Sequence, residues 1–181
     1  MKLPPNYEWL NQIGTLPRTI QVALSLLGTH ELNGKGSNPT ILAWRDELNK
    51  AGIKISDYTD DDIPWCGLFA AIVAHRAGKT VVKDPLWARN WVAFGNRTKQ
   101  PSLGDCLVFE RQGGGGHVTW YVGEDDECYH CLGGNQSDQV GFTRVEKHRL
   151  IMARRPTYVN QPNSVKAYRL KSTGKFSTNE A

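Results

Sequence analysis

The chain has 181 residues, of which 39% are apolar and 22% are charged. This composition is ordinary for a globular protein, and the length fits one domain with a full hydrophobic core. No stretch approaches the roughly 18 consecutive apolar residues of a membrane span, so we expect no membrane insertion. The net charge of +4 would favour approach to anionic surfaces, although it is also unremarkable for a soluble protein.

The N-terminus lacks the apolar region of roughly 7–15 residues that marks a secretion signal, which predicts that the product starts in the cytoplasm. The chain contains 4 cysteines, Cys66, Cys106, Cys128 and Cys131. A chain of this length without a secretion signal does not need disulfides in order to fold. We therefore expect free thiols.

Two helical patterns open the chain. Residues 17–28 repeat apolar side chains with helical spacing, between a proline in the first turn and a glycine at the end. Residues 38–52 begin with Asn38 and Pro39, a pair typical of an N-cap and a first turn, and they end at a glycine. Each segment predicts an amphipathic helix.

A third helix follows the acidic run at residues 60–62, which offers capping carboxylates. Its apolar spacing continues to a glycine stop, and this places Cys66 in the first turn. Residues 85–95 predict a shorter fourth helix, with Trp87 and Trp91 on one face because they are four residues apart.

Short β-rich runs between glycine or acidic breaks fill the second half of the chain. They cover residues 107–109, 118–122, 128–132, 140–145 and 150–153. Helices followed by an antiparallel meander predict an α+β domain, with the helices packed against one face of the sheet. We expect residues 1–157 to form this single domain and residues 158–181, which are polar and basic, to form a loose tail or a peripheral arm.

Cys66 is the most activated of the cysteines in this arrangement. A thiol at a helix N-terminus meets unpaired backbone N–H groups and the positive end of the helix dipole, which both stabilise the thiolate. Gly67 follows it, and a small residue there would leave room for a substrate carbonyl. His117 opens a strand after residues 113–116, which are all glycine, so we expect an uncovered imidazole that can act as a base.

Cys66 and His117 lie in two of three short segments whose order along the chain is informative. The segments are PWCGLF at residues 64–69, GDCLVF at residues 104–109 and GHVTWYVG at residues 116–123. The ordered set resembles the NlpC/P60 and CHAP superfamily of cysteine peptidoglycan hydrolases, over roughly residues 17–157. Residues 27–38 and 133–138 resemble, more narrowly, a phage-associated branch of that group.

The resemblance implies a papain-like fold and a thiol mechanism that needs no metal and no cofactor. The implied substrate is bacterial peptidoglycan, cut at the amide between muramic acid and L-alanine or at a bond within the stem peptide. A phage endolysin or virion-associated lysin of this kind would act as a monomer on the cell wall, after release or delivery, and would not bind nucleic acid.

Cys66 is the expected nucleophile and His117 its base, but the third catalytic residue stays open. NlpC-like members often carry Asp where this chain has Trp65, and CHAP members often carry an acidic residue two positions before the active-site Asn. We choose Asn135, which could orient the imidazole as in Cys-His-Asn sites, ahead of His130 and Gln136. Substrate contacts are expected from Glu31, Trp65, Gly67, His130 and Gln136.

The rival hypothesis is a non-catalytic wall-binding or virion structural module, which would need neither Cys66 nor His117. An antibacterial amidase toxin would share the chemistry and differ only in its delivery. Cys128 and Cys131 form a C-x-x-C pair, but no second ligand pair has zinc-site spacing, so we expect no metal. The arginine-rich residues 144–155 suggest a solvated face or a surface for an anionic wall polymer.

Overall fold

An antiparallel sheet forms the body of the protein in the computed structural model, which describes residues 2–32, 36–111, 113–172 and 176–177. Within those residues the sheet has six strands, in the spatial order β1-β6-β2-β3-β4-β5. The strands are β1 (Asn96–Thr98), β2 (Cys106–Glu110), β3 (Gly116–Glu124), β4 (Cys128–Gly133), β5 (Gly141–Glu146) and β6 (Leu150–Arg155). The predicted meander holds from β2 to β5, whereas β6 returns to lie between β1 and β2.

The helices precede the sheet, which confirms the predicted α+β class. The α-helices are α1 (Arg18–Ser25), α2 (Pro39–Lys50) and α3 (Cys66–Arg76). Short 3₁₀ turns cover Pro5–Asn11, Ala88–Ala93 and Lys147–Arg149, and the second of these replaces the predicted fourth α-helix. Among the described residues no helix has the length and apolar character needed to cross a membrane.

The starts of α2 and α3 differ in a way that matters for the site. Asn38 caps α2 as predicted, since its side chain accepts the N–H of Thr40 at 2.8 Å. The predicted caps of α3 are wrong, because no described side chain caps that helix. Asp61 instead accepts the backbone N–H groups of Leu32 and Asn38, at 3.3 and 2.7 Å. The first-turn N–H groups of α3 are therefore left for other partners.

The sheet buries side chains on both faces. In β2 the alternation is direct, because Cys106 and Val108 face the helices while Leu107 and Phe109 belong to a smaller core on the opposite side. All four side chains are fully buried. The core on the helical side also contains most of α3, which therefore packs rigidly against the sheet.

The arginine-rich residues 144–155 hold the sheet together rather than forming a free cationic face. Each of the four guanidinium groups donates hydrogen bonds within the protein. The pairs are Arg144 with Asp125, Arg149 with the carbonyl of Glu110, Arg154 with the carbonyl of Gly95, and Arg155 with Asp105. Arg144 and Arg149 are buried and do not form the solvated face that was one expectation, whereas binding of a wall polymer stays a prediction.

Asp105 of the Gly-Asp segment anchors the start of β2. It is fully buried, and its two carboxylate oxygens accept the Nε and Nη2 groups of Arg155 at 3.0 and 2.9 Å. One of them also accepts the Ser102 N–H at 2.8 Å. Burial raises the pKa of Asp105 above its ordinary value even though Arg155 lowers it. The motif aspartate thus ties β2 to the end of β6.

Residues 158–172 pack along the domain, so for this part of the chain the structure favours a peripheral arm over a loose tail. Ser164 Oγ donates to the Thr15 carbonyl at 2.6 Å, and Glu124 exchanges backbone hydrogen bonds with Tyr168 and Leu170 at 2.8 Å. The apolar side chains of Tyr168 and Leu170 contact the main core, which gives this polar segment a reason to dock. Of the remaining predicted tail, residues 173–175 and 178–181 lie outside the described residues.

We expect Asp105→Ala to lower the free energy of unfolding by about 2 kcal/mol, because the Arg155 guanidinium and the Ser102 N–H would lose their acceptor. Urea denaturation of the two proteins measures the difference. Asp105→Asn keeps one acceptor oxygen and should lose less. A loss below about 0.5 kcal/mol, which is typical of a surface substitution, would contradict this anchoring role.

Candidate active site

Cys66 is the first residue of α3, at the end of the helix that faces β3. Its side chain is 7% exposed, and Trp65 before it occupies the N-cap position. The groups that lower the pKa of the thiol by hydrogen bonding are the side chain of His117 and the backbone N–H groups of Val118 and Gly67. The sulfur therefore lies where the helix dipole and several donors favour a negative charge.

Opposing effects act on the acidity of Cys66. Burial raises the pKa of the thiol, whereas the hydrogen bond and the charge of His117, followed by the backbone donors, lower it. The lowering wins, so the pKa of Cys66 lies below its ordinary value. The contrast with the other thiols is clear, because burial raises the pKa of Cys106 well above its ordinary value and also raises that of Cys128.

His117 lies in β3, a central strand, and is only 1% exposed. The expectation of an uncovered imidazole was wrong, because the protein buries this side chain almost completely. Its Nε2 atom is 3.1 Å from Oε1 of Gln136. The imidazole is therefore held between the thiol and an amide.

Gln136 fixes which nitrogen of His117 carries the proton. Its Nε2 group donates to the Gly141 carbonyl, so its Oε1 must face His117 as an acceptor. An accepting oxygen requires a proton on Nε2 of His117, which leaves Nδ1 to receive the proton of the Cys66 thiol. This is the tautomer that a thiol base needs.

The loop after β4 delivers Gln136 because two glycines allow it to pack closely. A side chain at Gly134 would place its Cβ 2.5 Å from Phe69 and 2.6 Å from the indole of Trp65. A side chain at Gly133 would lie 2.7 Å from Oε1 of Gln136 itself. The Gln136 N–H donates to the Gln139 carbonyl at 3.0 Å and closes the loop.

Asn135, our first choice for the third position, occupies a left-handed turn at φ 53° and is 4% exposed. The hydrogen bond to His117 comes instead from its neighbour Gln136. Asn and Asp tolerate this backbone conformation better than other side chains, so the turn gives Asn135 a structural role. The geometry favours Gln136 as the residue that orients the base.

His130, the second alternative, belongs to a separate buried network. Its Nδ1 lies 2.9 Å from the hydroxyl of Tyr7, and its Nε2 lies 2.9 Å from Asp125. Arg144 completes the network through Asp125 at 2.7 Å. Since His130 is fully buried, the structure places it neither beside His117 nor in a position to contact substrate.

Trp65 and Glu31 contact each other. Trp65 is fully buried, and its indole N–H donates to Oε1 of Glu31 at 2.5 Å. Burial raises the pKa of Glu31, the Trp65 bond lowers it, and nearby carboxylates, first Asp138, raise it further. The net pKa of Glu31 lies above its ordinary value. Trp65 therefore packs inside the protein instead of contacting substrate, and Glu31 already has a partner.

Gly67 has a different role from the one expected. A Cβ at this position would lie 2.3 Å from the Pro85 carbonyl oxygen and 2.5 Å from that of Leu86. The missing side chain therefore makes room for protein backbone rather than for a substrate carbonyl. Through this contact the segment at Pro85 is pressed against the start of α3.

A cleft of about 490 Å³ opens beside Cys66, which is a size typical of ligand sites. Part of its wall is apolar and part carries charges of both signs. The apolar lining comes from Ile63, Pro64, Pro85, Leu86, Trp87 and Ala88, and the charged lining from Lys54, Asp57, Asp84 and Arg111. The buried thiol is therefore reachable from solvent through a shaped groove.

Trp87 stands on the cleft wall with 72% of its surface exposed, whereas Trp91 is fully buried. The sequence placed both on one helical face, which is wrong because Trp87 precedes a 3₁₀ turn and not an α-helix. The Trp91 indole donates to the Pro85 carbonyl at 2.9 Å and so fixes this wall. An exposed indole on a fixed wall is a candidate binding residue that the sequence pattern did not reveal.

Comparison with known proteins adds no assignment. No protein-family model matches the chain, and no curated protein is significantly similar to it. The features that bear on function are therefore Cys66, His117, Gln136 and the cleft.

We expect Gln136→Ala to reduce turnover about tenfold to a hundredfold, because His117 would lose the bond that selects its tautomer and its orientation. Asn135→Gly is the matched control, since glycine keeps the left-handed turn and removes only the amide. Rates of substrate cleavage by the two variants and by the unchanged protein decide between the positions. A larger loss in Asn135→Gly would restore Asn135 as the third catalytic residue.

Proposed function

We propose that the protein is a cysteine-dependent peptidoglycan hydrolase that cleaves an amide bond in the cell-wall peptide. The observation that carries this proposal is the Cys66 thiol at the start of α3, hydrogen-bonded to His117, whose other nitrogen is held by Gln136, beside an open cleft. A binding module would have no use for a thiol of lowered pKa paired with an oriented imidazole.

Acylation begins when His117 takes the proton of Cys66 and the thiolate attacks the carbonyl carbon of the amide. The carbon–sulfur bond forms as the carbonyl electrons move to oxygen, and the N–H groups in the first turn of α3 stabilise that oxyanion. Collapse of this intermediate breaks the carbon–nitrogen bond. The imidazolium of His117 donates its proton to the leaving amine, and a thioester on Cys66 remains.

Deacylation uses the same imidazole in the opposite direction. His117 takes a proton from water, and the resulting hydroxide attacks the thioester carbon. Breaking the carbon–sulfur bond releases a carboxylic acid and restores the thiolate. The net reaction is amide plus water giving acid plus amine, with no change in oxidation state.

The family that we propose rests on the same residues. Three features support a papain-like fold of the NlpC/P60 and CHAP kind. The proposed nucleophile begins a helix, the histidine lies on a strand packed against that helix, and a side-chain amide bonds to the far nitrogen of the histidine. With the ordered motifs this supports peptidoglycan as the substrate. We propose a phage endolysin or virion-associated lysin that reaches the wall after release or delivery and acts as a monomer.

We expect Cys66→Ala to lower peptidoglycan cleavage on the order of 10⁴-fold, with little change in thermal unfolding. Mass spectrometry of muropeptides after digestion measures the loss and identifies the bond cut.

Activity of the unchanged protein should follow a bell-shaped pH profile, because falling pH protonates the thiolate and rising pH removes the imidazolium proton. Its acid limb should lie below the range of an ordinary thiol, since the pKa of Cys66 is lowered.

Iodoacetamide should abolish this activity and a chelator should leave it unchanged. Inactivation by chelator, recovery with zinc and indifference to alkylation would contradict the thiol mechanism, since a metal-bound water would then be the nucleophile.

Trp87 is the side chain we expect to hold the substrate on the cleft wall. Trp87→Ala should raise KM about threefold to tenfold with little change in kcat, because stacking on an exposed indole contributes about 0.5–1.5 kcal/mol of binding. Trp87→Phe should retain part of this effect, and Val159→Ala, at a fully exposed residue outside the cleft lining, is the control. A fall in kcat at unchanged KM would contradict a role in binding.

A further inference from the structure

Glu31 links the two segments that deliver Cys66 and Gln136. Its Oε1 atom accepts the indole N–H of Trp65, the residue before the nucleophile, at 2.5 Å. Its backbone N–H donates to the carbonyl of Asp138, two residues beyond Gln136, at 2.9 Å. One residue thus bonds to both sides of the catalytic site.

The segment that carries Glu31 is fixed against the Gln136 loop. Gly28 and Thr29 exchange backbone hydrogen bonds with Val140 at 3.0 and 2.7 Å, and His30 and Gln139 form an isolated antiparallel bridge. On the other side the Leu32 N–H donates to the carboxylate of Asp61. Glu31 therefore cannot shift without displacing the loop that holds Gln136.

The Trp65 indole is equally constrained. It is fully buried between Trp44 and the loop at Gly134, where no Cβ would fit. Its N–H would be a buried donor without an acceptor if Glu31 were absent, which is costly. The contacts close a ring that runs through Cys66, His117, Gln136, Asp138, Glu31 and Trp65.

We propose that Glu31 is a positioning residue that sets the alignment of Cys66 and His117 by bracing Trp65 against the Gln136 loop. This inference rests on the proposed function, in which those two residues are catalytic. It differs from the substrate contact that the sequence suggested for Glu31, because Oε1 of the carboxylate accepts the indole N–H of Trp65. Trp65 acts in the same way, through its contact with Glu31.

The test compares Glu31→Ala with Glu31→Gln in the full chain. The rate of Cys66 alkylation by iodoacetamide is measured across pH by peptide mass mapping, and kcat and KM are measured on purified peptidoglycan. Glu31→Ala should move the midpoint of alkylation to higher pH by about one unit and lower kcat on the order of tenfold, with KM unchanged. Glu31→Gln keeps an acceptor oxygen for Trp65 and should restore both values.

Two further variants separate positioning from general stability. Glu47→Ala removes the carboxylate that accepts Arg76 at the opposite end of α3, at 2.7 Å, and should lower Tm without moving the alkylation midpoint. Trp65→Phe removes the indole donor and keeps an aromatic ring, so it should reproduce the midpoint shift of Glu31→Ala. It answers the same question if Glu31→Ala fails to fold.

The proposal is overturned if Glu31→Ala leaves the midpoint and kcat unchanged, if only KM rises, or if Glu31→Gln behaves like Glu31→Ala. Alkylation needs no substrate, so the two proposals fail separately. A midpoint shift in a protein that cleaves no peptidoglycan would support the positioning role and refute the substrate. If the protein cleaves peptidoglycan and Glu31→Ala changes neither the alkylation midpoint nor kcat, the substrate is supported and the positioning role is refuted.

Discussion

The hydrogen bond between His117 and Gln136 is the interaction on which the proposed chemistry depends. A histidine beside a thiol can act as a base only if the nitrogen that faces the sulfur is free of a proton. The Gly141 carbonyl holds the amide of Gln136, the amide oxygen holds Nε2 of His117, and the remaining nitrogen is left for Cys66. The acidity of the thiol follows, because His117 offsets the effect of burial on its pKa.

Close packing holds Cys66, His117 and Gln136 in this alignment. Gly67 allows the Pro85 segment to lie against the start of α3, and Gly134 allows the Gln136 loop to lie against Trp65. Neither glycine has a positive φ, so each is required by space and not by backbone conformation. The cleft wall, the proposed nucleophile Cys66 and the amide of Gln136 are therefore packed closely together, as preorganised electrostatic stabilisation requires.

The helices and the position of Cys66 could be predicted from local sequence. Helical spacing and the Asn38 cap predicted α2, and the apolar run after the acidic segment placed Cys66 in the first turn of α3. Gln136 was only an alternative, because its role depends on a carbonyl at Gly141 that becomes a neighbour through loop closure. The exposure of Trp87 was missed because the apolar pattern of this segment does not distinguish a 3₁₀ turn from an α-helix. The docking of residues 158–172 depends on a few apolar side chains within a polar segment, which periodicity cannot detect.

Competitive alkylation of the four cysteines directly tests whether Cys66 is the activated thiol and whether Gln136 contributes to its activation. The folded protein is treated at neutral pH with a limiting amount of iodoacetamide, and peptide mass spectrometry measures modification at each of the four cysteines. Cys66 should react first and Gln136→Ala should slow it, while Cys106 and Cys128 should stay protected by burial and raised pKa values. Faster reaction at Cys106 or Cys128, or a Cys66 rate that does not depend on Gln136, would contradict this activation of Cys66.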